Sequence, residues 1–492
     1  MPTLSSPIDP KDFTSPDATP SGYRVRLTSL IVACALFMQS LDSTAISTAL
    51  PDMARSFGAD PVQMSMALTS YLLSLAVFIP ASGWVADRYG TQTVFRAAIV
   101  IFTLGSVLCG RTGNLPELIA ARILQGAGGA MMVPVGRLVL LRTAAKSELV
   151  GAMAWLSIPA LIGPVVGPPL GGFIVTYLSW RWIFDINLPI GILGVALVTR
   201  YVADIRESTR RPFDVVGLLL TAFALSGMML GLESLGRGLV SLPTTFALIS
   251  LGTLAAAAYS VHARHQPAPL LDLALMRLPT FAVSVYAGFL FRIGVGATPF
   301  LLPLMLQVGF GWSAASSGIV TFASSAGAII MKPCARWILR RFGFRTILIW
   351  NAVISAIFIA ACAMFRPTWP LAGIYAILLA GGFFRSLQFT AYNTIAYADV
   401  PEPRMSAATS LYATFQQLSL TLGIIIGAGC LGGVSHLSGH AQPSLADFSW
   451  AFVGVATFTL FAGPLSQRLS DDAGSELSGN RRIKQPQMAS RQ

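Results

Sequence analysis

The chain reads as an all-α protein that crosses a membrane many times, and three observations carry that reading. Fourteen apolar runs are long enough to span a bilayer core, which takes about 20 residues of helix. Only 11% of the 492 residues are charged and 54% are hydrophobic, with a mean hydropathy of +0.67. A soluble globular chain carries roughly 25% charged residues. The third observation is where the positive charge lies. With the N-terminus placed in the cytoplasm, 23 of the 33 Lys and Arg fall in the tail and inward connections, five fall in outward connections and five inside runs. That excess places both termini on the cytoplasmic side and makes the number of spans even. The net charge of +12 therefore reports topology, and no nucleic-acid partner is expected.

In chain order, residues 1–26 form a polar cytoplasmic tail rich in Pro, Ser and Asp. A basic stretch followed by a short apolar run and a cleavage site is missing, so no removable signal peptide is expected. The runs follow at about 27–50, 64–86, 94–112, 115–141, 150–178 and 182–203, which form a first six-helix bundle (27–203). Two more, 214–235 and 241–261, lie within 204–278 and read as an inserted pair with its flanking loops. The last six, 279–308, 313–335, 346–365, 370–397, 405–433 and 448–467, form a second bundle (279–468), and 469–492 is a cytoplasmic tail.

An internal echo supports two bundles. Asp87-Arg88-Tyr89-Gly90 follows the second run and Arg340-Arg341-Phe342-Gly343 follows the tenth, each in a short inward loop, as a duplicated bundle places them. The five cysteines sit in or at the edges of apolar runs without CxxC spacing, so they read as packing residues. His436 and His440 have no acid or cysteine beside them, so no metal site is expected. No phosphate-cradling GxxxxGK loop and no nucleophile–base cluster occurs, which leaves ATP drive and intramembrane catalysis unsupported and implies no cofactor.

The run 115–141 holds the most informative charge. Arg122 lies two turns inside it, followed by Gln125 and the small patch Gly126, Gly128, Gly129 and Ala130. An arginine at that depth costs about 2.5–3.5 kcal/mol on insertion scales, so it should face a polar interior. Asp42 lies eight residues short of the outer end of the first run, and Arg122 seven residues below the outer end of the fourth. At 1.5 Å per residue both are about 10–12 Å deep. Burial favours a neutral carboxyl and a nearby arginine favours the charged one, so Asp42 is the candidate proton-coupling group with Arg122 as its counter-ion. A purely structural pair fixing helix register is the competing reading.

Four patterns resemble one family. Gly83-Trp84-Val85-Ala86-Asp87-Arg88-Tyr89-Gly90 is similar to the G-x-L-A-D-R-x-G loop of the major facilitator superfamily. Arg122, Gln125 and Gly126 resemble its fourth-helix R-x-x-Q-G pattern. Gly163-Pro164-Val165-Val166-Gly167-Pro168-Pro169-Leu170-Gly171-Gly172 resembles its fifth-helix antiporter signature. Leu41-Asp42-Ser43-Thr44, running on to Ala49-Leu50-Pro51, and the stretch 180–191 resemble the fourteen-span drug:proton antiporters of EmrB/QacA type. Within that group FMQSLDST (37–44) and GGAMMVPVGRL (128–138) are most similar to the MdtD-type transporters. The chain departs from the pattern at Thr91-Gln92, where a basic pair is usual, at Asp185, and at Arg340 in the second-half echo.

The resemblance implies a major facilitator fold of two six-helix bundles plus two extra helices, in a bacterial inner membrane. It implies proton-driven efflux of drugs or other small molecules by alternating access, with a periplasmic adaptor as an open question. Gly83, Asp87, Arg88 and Gly90 would form a conformational latch, read otherwise as a solvated turn. Gly163, Pro164, Gly167, Gly171 and Gly172 would pack an antiporter seal, read otherwise as a proline kink. Arg292 and Arg385 fall on helices that line the cavity in the superfamily, with Gln125, Gln388 and Asn393 as further substrate contacts. Three arginines against one aspartate bias the cavity towards anions, so export of small organic anions or metal–carboxylate complexes is a rival, as are a proton-coupled uptake symporter and a non-transporting sensor. Lys332 and Arg137 sit near inner ends and are expected to snorkel.

Overall fold

The computed structural model describes residues 22–143, 162–163, 166–204, 213–235, 241–267, 269–401, 404–439 and 442–475. Among them, thirteen helices are long and apolar enough to cross a membrane. Each matches one of the fourteen expected runs to within seven residues at either end, and about half of the remaining run, 150–178, falls outside the described residues. Its described stretch 166–177 is helical.

Helix α1 spans Gly22–Phe57. Helix α2 (Ser65–Phe78) passes through a single tight turn, Ile79–Ala81, into α3 (Ser82–Tyr89). Pro80 causes the interruption, because proline has no N–H for the helical ladder. Helices α4 (Thr91–Arg111) and α5 (Leu115–Thr143) follow, then 166–177 (α6) and the short α7 (Trp182–Asp185) leading into α8 (Asn187–Tyr201). The inserted pair is α9 (Val215–Leu235) and α10 (Leu242–His265). The second half runs α11 (Pro279–Leu304), α12 (Ala314–Phe342), α13 (Phe344–Ala361), α14 (Leu371–Ile395), α15 (Met405–Leu437) and α16 (Leu445–Ser466).

Sequence chemistry sets several boundaries. Gly90 (φ 93°) and Gly343 (φ 76°) stand before α4 and α13, so the echoed motifs end in the same left-handed hinge, a conformation that glycine adopts without strain. At Gly90 a side chain would also collide with Asp204. Ser444 and Asp447 close a reciprocal cap on α16, which satisfies two amides the helix leaves unpaired. Pro299 and Pro303 lie within α11 near its end, and the helix passes into a wider turn over Met305–Gly309.

The helices α1, α2, α4, α5, α7 and α8 pack among themselves, as do α11–α16. The two sets meet where α2 lies along α15, and where α1 meets α11 and α12. Inserted helices α9 and α10 pack on each other, and α9 reaches both α2 and α15 at that seam. Contacts between the halves also gather at the face expected to be outer. There Gln307 donates to the Thr48 carbonyl (3.0 Å) and the Ala315 amide to the Thr176 hydroxyl (2.9 Å).

Candidate functional site

The first half is organised around a buried ion pair. Arg122 projects from α5 and Asp42 from α1; their relative exposures are 0% and 1%. Arg122 Nη1 donates to Asp42 Oδ2 at 2.5 Å and to Gln125 Oε1 at 2.6 Å, while its Nε donates to the Ala67 carbonyl at 3.0 Å. The other Asp42 oxygen accepts from Gln125 Nε2 (2.9 Å) and from Asn187 Nδ2 (3.3 Å). Asn187 also donates to Ser106 on α4 (2.9 Å). The guanidinium lies over the Tyr71 ring, 4.1 Å from its centre, and Arg122 Nη2 has no hydrogen-bond partner among the described residues. Five helices of one half, α1, α2, α4, α5 and α8, thus meet in one network around a single carboxylate. Taking two charges from water is expensive, and such a pair persists when its remaining donors and acceptors are satisfied. Asp42 is satisfied by three donors, and Arg122 keeps the two N–H groups of Nη2 unused among the described residues.

Sequence spacing placed Asp42, Arg122 and Gln125 on facing helices, and the structure brings all three into contact. Asn187 and Tyr71 were missed. An asparagine in the apolar stretch 183–198 was the available signal for the first; Tyr71 looks like any other aromatic in its run.

A cavity of about 440 Å³ lies between the halves. Arg122 and Tyr71 stand on one wall, Arg385 and Lys332 on another, with Phe389, Leu420 and Ile424 among the apolar surfaces. Arg385 donates to the Ser324 hydroxyl at 2.6 Å and Lys332 to the Thr390 hydroxyl at 3.0 Å. Neither forms an ion pair among the described residues. Lys332 was expected to snorkel, and it does lie three residues before the end of its span at Ala335, but its position around α12 turns the ammonium to the cavity wall and Thr390. The Arg137 side chain lies outside the described residues.

Four residues expected on the cavity wall are set behind it, Gln125 among them, held by Arg122 and Asp42. Arg292, 1% exposed, donates to Asn393 Oδ1 (3.1 Å) and to the Tyr412 hydroxyl, and lies over the rings of Tyr412 and Phe389. Asn393 is engaged by Arg292. Gln388 is buried between α13 and α14, where Nε2 donates to the Leu348 carbonyl (2.8 Å) and Oε1 accepts from Asn351 (2.9 Å). Each polar group found a partner inside its own bundle, which sequence spacing alone does not reveal.

The antiporter-motif glycines form a stripe. A side chain at Gly163, Gly167 or Gly171 would collide with α1 at Ser40, Thr44 and Ala45 in turn, whereas one at Gly172 would strike the Ala314 backbone of α12. Spacing of four puts the first three on one face of a helix, and Gly172 points to the other half. Pro164 lies outside the described residues. In the latch motif, Asp87 is half-buried and Arg88 exposed, and Gly83 has open space where a side chain would stand. Thr91-Gln92 has a local role: Gln92 Nε2 donates to the Val198, Thr199 and Val202 carbonyls and so closes the end of α8.

The family model described as the Major Facilitator Superfamily matches residues 32–424. The chain belongs to the major facilitator superfamily. Relatives named "Putative multidrug resistance protein MdtD", from Escherichia coli O157:H7, Escherichia coli K12 and Shigella boydii, are 37% identical over 464 residues, 93% of this chain and 97% of theirs. Among solved structures, the nucleoside transporter NupG superposes with a TM-score of 0.64 at 14% identity, covering 91% of this facilitator and all of NupG. The human organic anion transporter MFSD10 gives 0.57 at the same identity and coverage of this chain. Those likenesses establish the major facilitator fold for this chain.

Proposed function

We propose that this facilitator is a proton-driven exporter of small molecules that works by alternating access of two six-helix bundles, with fourteen spans and both termini in the cytoplasm of a bacterial inner membrane. The observation that carries the reading is the Asp42–Arg122 pair, buried yet bordering the central cavity through Arg122 and Tyr71. A proton and Arg122 compete for the same carboxylate. When Asp42 is protonated its attraction to Arg122 is lost, and the guanidinium is free to turn its donors to the cavity. When the proton leaves, Arg122 is recaptured. Exchange follows when substrate binds the cavity with the pair intact, because protonation of Asp42 then releases Arg122, alters the cavity wall and expels the substrate. The relatives named as multidrug resistance proteins support export over uptake.

A second reading concerns the cargo. Arg385 and Lys332, both on the cavity wall with only hydroxyl partners, favour a small organic anion or a metal–carboxylate complex over a lipophilic cation. Flux of a panel of anions and cations from proteoliposomes under an imposed pH gradient tests both readings. Efflux against proton entry supports export; accumulation with protons identifies a symporter; binding without flux identifies a sensor.

A further inference from the structure

Helices α12 and α14, which carry Lys332 and Arg385, run side by side in the same direction. The Ser386 hydroxyl donates to the Ala328 carbonyl (3.2 Å) and Lys332 to Thr390, and in both pairs the partners stand 58 positions apart. Gly382 keeps that register, packed so closely on Ser324 that a side chain there would strike the Ser324 carbonyl. Arg385 departs from it. Its partner Ser324 is 61 positions away, so the guanidinium reaches back almost a turn along α14. The two cationic ends therefore stand at the levels of Ser324 and Lys332, eight positions of α12 apart, which is about 12 Å of helix. Between those levels Ala328, Ile329 and Phe389 face the cavity, and Leu420 and Ile424 of α15 line it too. The one polar side chain set between them, Ser386, has its hydroxyl engaged by Ala328. Among the described residues no acid lines this cavity, and its third cation, Arg122, is already matched by Asp42.

Building on the anionic cargo proposed above, we infer that the central cavity takes a two-ended dianion, with a carboxylate at each end of an apolar body, held by Arg385 at one end and Lys332 at the other. A guanidinium has five N–H donors and an ammonium three. Each cation can therefore take an anion while keeping its bond to Ser324 or Thr390. Complementary charge placement gives selectivity among ligands of equal charge. A compact dianion cannot reach both cations at once, because closely packed helices hold them apart, so it gains one charged contact. A monoanion also gains one and leaves the second cation unmatched. The middle of the ligand follows from the wall between the charges. A hydroxyl or amide placed there would lose water without finding a partner, which is costly, whereas hydrocarbon is accepted. The volume of about 440 Å³ falls in the range of small-ligand sites, roughly 300–1,000 Å³.

Isothermal titration of the purified full chain with four probes tests this: sebacate, its monomethyl ester, succinate, and the diamine of sebacate's length. No pH gradient is present, so the outcome is independent of proton coupling. Sebacate should bind about tenfold more tightly than its half-ester or succinate, the gain from a second charge-assisted hydrogen bond. Lys332→Gln and Arg385→Gln should each remove that gain. The half-ester, which can turn to the remaining cation, should stay near its wild-type affinity in both variants. A merely structural role for either cation would weaken both ligands alike and would overturn the two-point assignment. In the wild type, no binding of sebacate, or equal affinity for sebacate and either the half-ester or succinate, would overturn it as well. Binding of the half-ester in those cases would leave the anionic cargo standing. Tighter binding of the diamine than of sebacate would remove the anionic reading and the two-ended site with it.

Discussion

The two halves bury a guanidinium each, and they treat it differently. In the first half Arg122 meets the carboxylate of Asp42, and amides from Gln125 and Asn187 complete the shell. In the second half the partners of Arg292 among the described residues are neutral, the Asn393 oxygen, the Tyr412 hydroxyl and two ring faces. A proton can switch the first arrangement, because it has an acid to bind. The second has none, so its charge is constant through a cycle. This asymmetry divides the work between the duplicated bundles. In the proposed cycle the first exchanges protons, while the second holds a positive charge behind a wall that carries Arg385 and Lys332.

The contrast breaks most visibly in stability. Asp42→Ala leaves Arg122 buried without its counter-charge and should cost about 3–5 kcal/mol. Arg292→Met removes a cation and strands only neutral partners, at about 1–3 kcal/mol. Thermal unfolding of the purified variants ranks the two; equal losses would remove the asymmetry. Next comes the seal between α1 and α6. Gly167→Leu drives a side chain into Thr44 and should cost about 1–3 kcal/mol, whereas Gly83→Ala, with open space around it, should stay within about 0.5 kcal/mol of wild type.

Binding sharpens the same contrast. Arg385→Gln should weaken an anionic substrate about tenfold, as the loss of one charge-assisted hydrogen bond does, and Lys332→Gln should act similarly. Arg292→Gln, one layer back, should change affinity less. Isothermal titration with an anion from the flux panel distinguishes them, and a larger effect at Arg292 would place the substrate elsewhere.

The smallest effect belongs to the base of the inserted pair. Asp214, just before α9, bonds His262 (2.7 Å) and the Gly217 and Leu270 amides. Partial burial opposes its ionisation, but the bonds from His262 and the two amides outweigh that and hold the carboxyl below its ordinary range. A carboxyl depressed in the folded state stabilises above its unfolded pKa and loses that contribution as pH falls. Asp214→Asn should therefore lower thermal stability at neutral pH, and the gap to wild type should narrow on acidification below about pH 4, where an unperturbed Asp titrates. A gap that widens on acidification would reverse the sign.

How much of this was legible beforehand depends on what each residue answers to. Span positions follow from a one-dimensional constraint, the thickness of the bilayer, and the thirteen described spans match the runs read from hydropathy. Asp42 and Arg122 were found because equal depth on two helices is also a one-dimensional quantity. Which way a side chain turns at that depth is not. Arg292 and Gln388 look as cavity-facing in sequence as Arg385 does, yet Tyr412 and Asn351 supply them with partners inside the bundle. Lys332 was assigned to the interface by its distance from the helix end, and its rotation about α12 decided otherwise.

The central claim is that one carboxylate in the first half exchanges a proton for its arginine. Asp42→Asn, which keeps the shape and the hydrogen-bonding oxygen but removes the charge, measured in proteoliposomes for both gradient-driven flux and substrate counterflow, tests it most directly. The account expects counterflow to persist while flux no longer responds to the pH gradient. Gradient-driven flux at the wild-type rate in that variant would contradict it.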